Sequence, residues 1–150
     1  MSSDYDPGTG AFGTRINIDD IVDALDFLDD WEARYAYIID LGKQVPAMPA
    51  ALKTTDRLVR GCQSQVWLAT RHDTAGNRLW LGVDSDALIV KGLAAIVLAA
   101  YNGKSPADVL AFDIEGLFAR LDLMRHLSQT RGNGLRAMVQ RIRETAQALA

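Results

Sequence analysis

A change of hydrophobic period in the middle of the chain restricts the fold class more than any other feature of the sequence. Residues 65–70 (QVWLAT) and 78–83 (RLWLGV) are short runs rich in β-branched and aromatic side chains, and RHDTAGN between them contains turn formers. This pattern predicts a β-hairpin, with Trp67 and Trp80 as core residues. On both sides of the hairpin, apolar residues recur at helical spacing. Strands that cluster in this way, instead of alternating with helices, predict an α+β domain.

The segment before the hairpin is predicted to be helical at first and then extended. Apolar spacing over residues 18–39 fits two short helices or one bent helix. Gly42 and Pro46 are expected to end the helix, because proline lacks the amide donor that a helix needs. Residues 43–56 are therefore predicted to be an extended connector. The following run RLVRG is a short candidate strand.

The segment after the hairpin is predicted to contain several helices. A long apolar helix is expected between Ser85 and Tyr101. Ser105, followed by proline and then by an acidic residue, has the composition of a helix start, and Asp113 can cap the next helix. The final helix is predicted from one apolar face, formed by Leu135, Met138, Val139, Ile142, Ala146 and Leu149.

Length and charge narrow the classes of function. A chain of 150 residues fits one domain, which we expect over residues 17–150, with residues 1–16 as a flexible N-terminal lead-in. A net charge of -3 without a long basic block argues against nucleic-acid binding. The apolar run 92–101 is far shorter than the roughly 20 residues that span a bilayer, and the N-terminus does not resemble a signal sequence. We therefore expect a soluble, cytoplasmic protein with no membrane association.

Cys62 is the only cysteine of the chain, and it lies in the stretch RLVRGCQSQVWL. It has no second cysteine for a disulfide or a thioredoxin-type pair, and a phosphatase-type loop would require arginine where Leu68 stands. Zinc or an iron–sulfur cluster would need more soft ligands than one cysteine and the isolated His72 and His126 provide. No metal site is predicted.

Three interpretations of Cys62 remain open on the residues alone. A lone cysteine is often an inert core residue, but Gly61 permits tight backbone geometry, and Gln63 and Ser64 bring polar groups beside it. The thiol could accept and donate a group without a built-in partner, which suits a carrier. Alternatively, it could be the nucleophile of a cysteine hydrolase or transferase, with His126 as its base.

Several ordered stretches resemble the SufE family of sulfur acceptor proteins. Residues 61–68 (GCQSQVWL) resemble the family's cysteine signature, and residues 31–49 resemble its second helix and proline connector. Residues 84–110 resemble the family's central helices, and residues 126–138 resemble the segment that leads into its last helix. The similarity runs from about residue 20 to the C-terminus.

This resemblance implies a fold and a role. The fold would be a small three-stranded antiparallel sheet packed against several helices. Cys62 would take persulfide sulfur from a cysteine desulfurase, stimulate that enzyme, and pass the sulfur to a downstream scaffold for iron–sulfur cluster assembly. The resemblance implies no independent turnover and no cofactor of the chain's own, since pyridoxal phosphate belongs to the partner.

The resemblance also assigns supporting residues around the cysteine. Arg131 matches an arginine before the last helix, where it would place positive charge near the persulfide and orient acidic groups of the partner. Asp86, at the start of the central helix, would contact the partner, although favourable interaction with the helix dipole also explains an acid there. Gly61, Gln63 and Ser64 would shape the cysteine loop.

Two arginines depart from the family pattern. Arg57 stands where the family commonly has asparagine, and Arg60 stands where histidine or glutamine is frequent. Both changes add positive charge, which would lower the pKa of the thiol or fit a different partner surface. The runs AFGTRI and LGKQVPAMPAALK resemble the CsdE branch, whereas GCQSQVW is of the SufE kind. The partner desulfurase can therefore be SufS-like or CsdA-like.

Overall fold

The structure is a computed structural model that describes residues 5–8, 10–62 and 64–150. These residues contain seven α-helices and one β-hairpin. In chain order the elements are α1 (Ile18–Phe27), α2 (Trp31–Lys43), β1 (Val66–Asp73), β2 (Arg78–Ser85), α3 (Leu88–Tyr101), α4 (Pro106–Ala111), α5 (Ile114–Leu121), α6 (Leu123–His126) and α7 (Gln129–Leu149). The predicted α+β class is confirmed.

The first helical segment consists of two separate helices. Asn17 and Asp20 form a reciprocal capping box at the start of α1, and the Asp30 side chain accepts a hydrogen bond from the Ala33 N–H at the start of α2. Helix α2 ends at Lys43, between Gly42 and Pro46, as predicted, but Gly42 itself has another role. Gly42 is a buried residue of the helix. A Cβ there would come within 2.9 Å of the Leu88 carbonyl oxygen at the start of α3, so only glycine fits between the two helices. Glycine is required by close helix packing and does not terminate the helix.

The connector between α2 and the hairpin is not extended throughout, which corrects the prediction for residues 43–56. It contains two 3₁₀ turns, Ala50–Leu52 and Thr55–Arg57. Proline excludes an α-helix here, but it leaves short turns possible because each needs few amide donors.

The sheet has two strands among the described residues, not the three that were expected. β1 and β2 pair antiparallel from Val66↔Ser85 to Asp73↔Arg78. The predicted third strand is reduced to one bridge between Leu58 and Trp67. It ends there because the Arg57 N–H donates back to the Thr54 carbonyl at 3.1 Å, inside the 3₁₀ turn, and so cannot extend the ladder along β1.

Helix α3 forms the centre of the hydrophobic core. Eleven of its residues are buried, and α2, β2 and α7 pack against it. On the outer face of the hairpin, Trp67 joins Met48 and Ala69 in a second small apolar cluster. Trp80 is only partly buried. Of the two tryptophans that were predicted to be core residues, Trp67 is therefore a core residue and Trp80 covers the outer surface of the sheet.

Helix α7 begins earlier than its apolar pattern indicates. The Ser128 side chain accepts a hydrogen bond from the Arg131 N–H, so the helix starts at Gln129 and includes Gly132 and Gly134. The apolar face is buried as predicted except at its end, where Leu149 is 38% exposed. The segment that was expected to lead into the last helix is largely its first two turns.

Asp84 on β2 is a buried carboxylate that ties the connector to the hairpin and to α3. Its oxygens accept hydrogen bonds from the Met48 and Ser85 N–H groups, both at 2.8 Å, and lie 3.4 Å from Lys53 Nζ and 3.3 Å from Lys91 Nζ. Burial pushes the pKa of Asp84 upward, but the backbone donors and Lys91 hold it below its usual value. The connector is thereby fixed on the approach to the cysteine loop.

The described residues before α1 contact the body of the fold. The Gly8 N–H donates to the Leu81 carbonyl at 2.8 Å, and Phe12 is 2% exposed within the main core. The division into a flexible lead-in over residues 1–16 and a domain over 17–150 stays a prediction. Within the described residues, every helix is too short or too polar to cross a lipid bilayer.

Candidate functional site

Cys62 lies in the short loop that connects Leu58, which bridges to Trp67, with the start of β1 at Val66. Its side chain is partly buried, and the Sγ–H donates to the carbonyl oxygen of Gly134 on α7 at 3.5 Å. This is a long and weak hydrogen bond, as expected for a thiol donor. The thiol is therefore partly sheltered and held against α7.

A cavity of about 260 Å³ opens beside the thiol. Its lining residues come from the cysteine loop, β1, α3 and the first turns of α7: Cys62, Ser64, Val66, Val90, Leu93, Ser128, Thr130, Arg131, Gly134, Leu135 and Met138. The lining is mixed, because hydrophobic side chains lie beside three hydroxyl groups and one guanidinium. Such a cavity can shelter a small polarizable group while a few donors interact with its charge.

Burial raises the pKa of the Cys62 thiol above its ordinary value. Of the two alternatives left open for Arg57 and Arg60, this conformation does not favour a lowered pKa of the thiol. The Arg57 guanidinium donates to the Leu52 carbonyl and to the Thr54 hydroxyl, and Arg60 is exposed in a separate groove. Neither arginine is among the described residues that line the cavity.

Arg131 lies in the first turn of α7, not before the last helix as predicted. It is exposed, lines the cavity, and its Nη1 is 3.3 Å from the Tyr35 hydroxyl oxygen. The positive end of the α7 dipole lies at the same place. The electrostatic potential in the cavity is therefore positive beside Arg131 and the N-terminus of α7.

Asp86 does not cap the central helix. The residue before α3 is Ala87, with no side-chain cap, whereas Asp86 Oδ1 accepts a hydrogen bond from the Gln65 N–H at 3.1 Å. The Asp86 N–H donates in turn to the Gln65 carbonyl at 3.3 Å. Asp86 thus fixes the C-terminal end of the cysteine loop and leaves an exposed carboxylate close to it.

The other predicted loop residues flank the thiol. Gly61 has a φ of +90°, which glycine adopts readily and other residues avoid. Ser64 lines the cavity. Gln63, also predicted as a site residue, lies outside the described residues.

The structure does not bring His126 to Cys62. The His126 ring stacks on Trp31, with centroids 4.2 Å apart, and its Nδ1 lies 3.0 Å from the Asp122 carbonyl oxygen. His126 is absent from the described lining of the cavity, whereas a general base must lie within hydrogen-bond reach of its nucleophile. The described residues also contain no cluster of three His, Cys, Asp or Glu side chains that could hold a metal ion.

Comparison with known families accounts for this arrangement. The family model named SufE, described as an Fe-S metabolism associated domain, matches residues 19–146. The chain belongs to the SufE family. It therefore has a role in Fe–S metabolism.

Two SufE-like proteins, both uncharacterized, are similar over most of their length. One from Rhizobium meliloti (strain 1021) is 44% identical over 133 residues, covering 87% of this chain and 95% of the relative. One from Rhizobium etli is 46% identical over 136 residues, covering 89% and 92%. The solution structure of a hypothetical protein from Thermus thermophilus has a TM-score of 0.70 and 20% identity, covering 87% of this chain and 93% of that one. That likeness concerns the fold alone.

On α7, sequence reasoning found Arg131 but missed Gly134 as part of this SufE site. Gly134 was interpreted as part of a polar segment leading into the helix, yet its carbonyl accepts the thiol hydrogen bond. A Cβ on Gly134 would lie 3.4 Å from Cys62 Sγ, so a larger residue would limit how closely the loop approaches the helix. The available signal was a glycine inside a helix, which is unfavourable unless close packing requires it.

The raised pKa of Cys62 predicts slow alkylation at neutral pH. Thiolate is the reactive form, so the rate of reaction with iodoacetamide should reach half its maximum above the pH of about 8.5 typical of free cysteine. The measurement is the pH profile of the alkylation rate, with the same protein unfolded in urea as the control. A midpoint at or below that of the unfolded chain would contradict the buried-thiol geometry.

Proposed function

We propose that this SufE-family chain accepts persulfide sulfur from a cysteine desulfurase onto Cys62, stimulates the desulfurase, and passes the sulfur on for iron–sulfur cluster assembly. The single observation that carries the proposal is the position of the thiol. Cys62, the only cysteine, lies next to a positive-φ glycine and at a cavity lined by both hydrophobic and polar side chains. The desulfurase is SufS-like or CsdA-like, and we infer that transfer occurs in the cytoplasm.

The transfer is a thiol–persulfide exchange. The Cys62 thiolate attacks the outer sulfur of the donor's cysteine persulfide, a new S–S bond forms on Cys62, and the donor's S–S bond breaks. The donor cysteine leaves as a thiolate, and the proton from Cys62 passes to solvent or to a group of the donor. No net oxidation occurs, so no resolving cysteine is needed, and pyridoxal phosphate belongs to the donor.

The cavity has the properties needed to protect the product. A persulfide on Cys62 extends the side chain by one sulfur atom, and the cavity of about 260 Å³ has room for it. Val66, Leu93 and Met138 would keep water and soluble reductants from the outer sulfur. Thr130 and Arg131 offer donors to a persulfide anion.

Delivery to another protein requires the loop to leave this position. A partly buried sulfur that is hydrogen-bonded to Gly134 is not presented to the reacting group of another protein, either to receive sulfur or to deliver it. Gly61 can serve as the hinge on one side, and the Asp86–Gln65 contacts hold the other side to the sheet. We infer that the motion is confined to residues 61–64, with the exposed Arg131 and Asp86 contacting the partner around the extended loop.

The test is sulfur loading measured by intact mass. The protein is incubated with free cysteine and with one desulfurase of the SufS kind or one of the CsdA kind, and it should gain the mass of a single sulfur atom. Omitting either the desulfurase or free cysteine is the control and should prevent the gain. No gain with both desulfurases, or turnover of ester substrates by the protein alone, would overturn the carrier function.

A further inference from the structure

The outer edge of β1 points main-chain groups away from the sheet. On β2, the N–H groups of Leu79 and Leu81 donate away from β1, to oxygens of residues 102–104. Their register partners on β1 are His72 and Thr70. In an antiparallel pair, two opposite residues either both point their N–H and C=O groups at each other or both point them away from the partner strand. His72 and Thr70 therefore direct their N–H and C=O groups away from β2, to the outside of the sheet.

In the described residues, another segment pairs with this edge only at the start of β1, beside Val66 and Trp67. The Val59 N–H donates to the Val66 carbonyl at 2.7 Å, and then the 3₁₀ turn containing Arg57 leads the chain away. Within the described residues, the outward main-chain groups of Thr70 and His72 have no hydrogen-bond partner. An unpaired edge of this kind can accept an additional strand.

A polar cavity of about 240 Å³ lies along the same edge, at the place where a longer third strand would run. Its lining residues are Asp56, Arg57, Leu68, Thr70, Arg141 and Thr145. Two arginines face one carboxylate, so the cavity carries net positive charge.

Asp56 attracts both arginines of this cavity, but neither guanidinium forms an ion-pair contact with a carboxylate in the described part of the chain. The Arg57 guanidinium donates to a carbonyl and a threonine hydroxyl, and the Arg141 guanidinium donates to the carbonyls of Leu58 and Asp56. These acceptors are uncharged and leave several N–H donors of each guanidinium available. Guanidinium groups with available donors bind carboxylates and phosphates through paired N–H···O bonds, and of these two a polypeptide segment supplies the carboxylate.

We propose that the β1 edge and this cavity bind an extended segment of the cysteine desulfurase, which pairs with Thr70 and His72 as a third strand and places a carboxylate between Arg57 and Arg141. Binding of this type combines main-chain hydrogen bonds with a side-chain pocket. The proposal rests on the proposed function, because it assigns the occupant to the sulfur donor.

The position of the edge relative to the thiol supports this occupant. Arg141 follows Gly134, the residue bonded to Cys62, by seven residues on α7, which is about 10 Å along the helix axis. Leu58, at the end of the edge, is four residues before Cys62. A protein held on this edge therefore has other parts of its surface within reach of the thiol.

The test measures desulfurase affinity in a Cys62→Ser background, so that no sulfur is transferred. Arg57→Gln with Arg141→Gln should weaken binding about tenfold, and Arg57→Lys with Arg141→Lys should retain more of the affinity, as expected for a charge interaction. Thr70→Pro, which removes one edge donor, should also weaken binding. Arg120→Gln is the matched control, because Arg120 is exposed and pairs with Asp26 away from the edge. The desulfurase should protect the Thr70 amide from hydrogen exchange.

The outcomes separate this proposal from the proposed function. Unchanged affinity in the Gln and Pro variants and no protection of Thr70, together with normal sulfur loading by the protein that retains Cys62, would overturn the edge site alone. Absence of both loading and binding in the unmodified protein would overturn both. If Thr70→Pro converts a dimer to a monomer without changing desulfurase affinity, the occupant is a second copy of this chain and the proposal is wrong.

Discussion

Cys62→Ser is expected to abolish sulfur loading and leave the fold intact. A serine hydroxyl stays protonated at neutral pH and lacks the polarizable thiolate that attacks a persulfide, so loading should fall to background. The packing change is small, because Sγ makes one hydrogen bond, at 3.5 Å, and is only partly buried. The free energy of unfolding should change by less than about 1 kcal/mol. Intact mass and thermal midpoint measure the two effects.

The matched control is the protein without any substitution after alkylation of Cys62, which blocks the sulfur. It should lose loading to the same extent as Cys62→Ser. Stimulation of the desulfurase by Cys62→Ser at the level of the unmodified protein would contradict the carrier function. It would indicate an effect of binding alone.

The elements with strong local signals were predictable from the sequence. The hairpin follows from β-branched and aromatic runs around a turn, and helical structure over residues 18–39 follows from the apolar spacing. The choice between two helices and one bent helix was left open, and the caps at Asn17 and Asp30 decide it. The missing third strand was not predictable. It depends on whether the Arg57 N–H bonds locally to Thr54 or across to β1, and these alternatives leave the same sequence pattern.

The start of α7 shows how tertiary packing overrides a local preference. Two glycines within three residues favour a loop, yet Gly132 and Gly134 are helical. The helix continues through them because the Ser128 side chain caps its first turn and because the glycines face other groups closely. A Cβ on Gly132 would lie 3.3 Å from Met124 Sδ, and one on Gly134 would lie 3.4 Å from Cys62 Sγ.

The nucleophile of the candidate site could be named from the sequence, but its environment could not. Val90 and Leu93 on α3 reach the cavity from about thirty residues along the chain, and no periodicity indicates such a contact. The sequence also left open whether Arg57 acts on the thiol, because closeness in sequence does not fix the direction of a side chain. Residues five apart in a chain that turns sharply need not be neighbours, and the Arg57 side chain bonds to Leu52 and Thr54 instead.

Gly61→Val is expected to reduce sulfur loading far more than it reduces stability. Gly61 has a φ of +90°, a conformation that a β-branched residue adopts only with strain of about 1–3 kcal/mol. A Cβ at Gly61 would lie 3.4 Å from the Ala137 Cβ, so the valine methyl groups would also press against α7. The folded protein can relieve this strain by displacing the exposed loop, because Gly61 is exposed and the sheet begins only at Val66.

The loss of loading should therefore come from the loop and not from unfolding. Gly103→Val is the matched control, since Gly103 also has a positive φ, +80°, but packs against Trp80 and is not among the described residues that line the Cys62 cavity. Thermal midpoint, desulfurase affinity and loading rate are measured for both variants at a temperature where both are folded. Gly61→Val should load at least about tenfold more slowly, because a small displacement of a reacting group has effects of this order, whereas Gly103→Val should load at the unmodified rate. If Gly61→Val loads normally, or slows only in proportion to its unfolded fraction, the two-position loop is wrong, while Cys62 can still be the sulfur carrier.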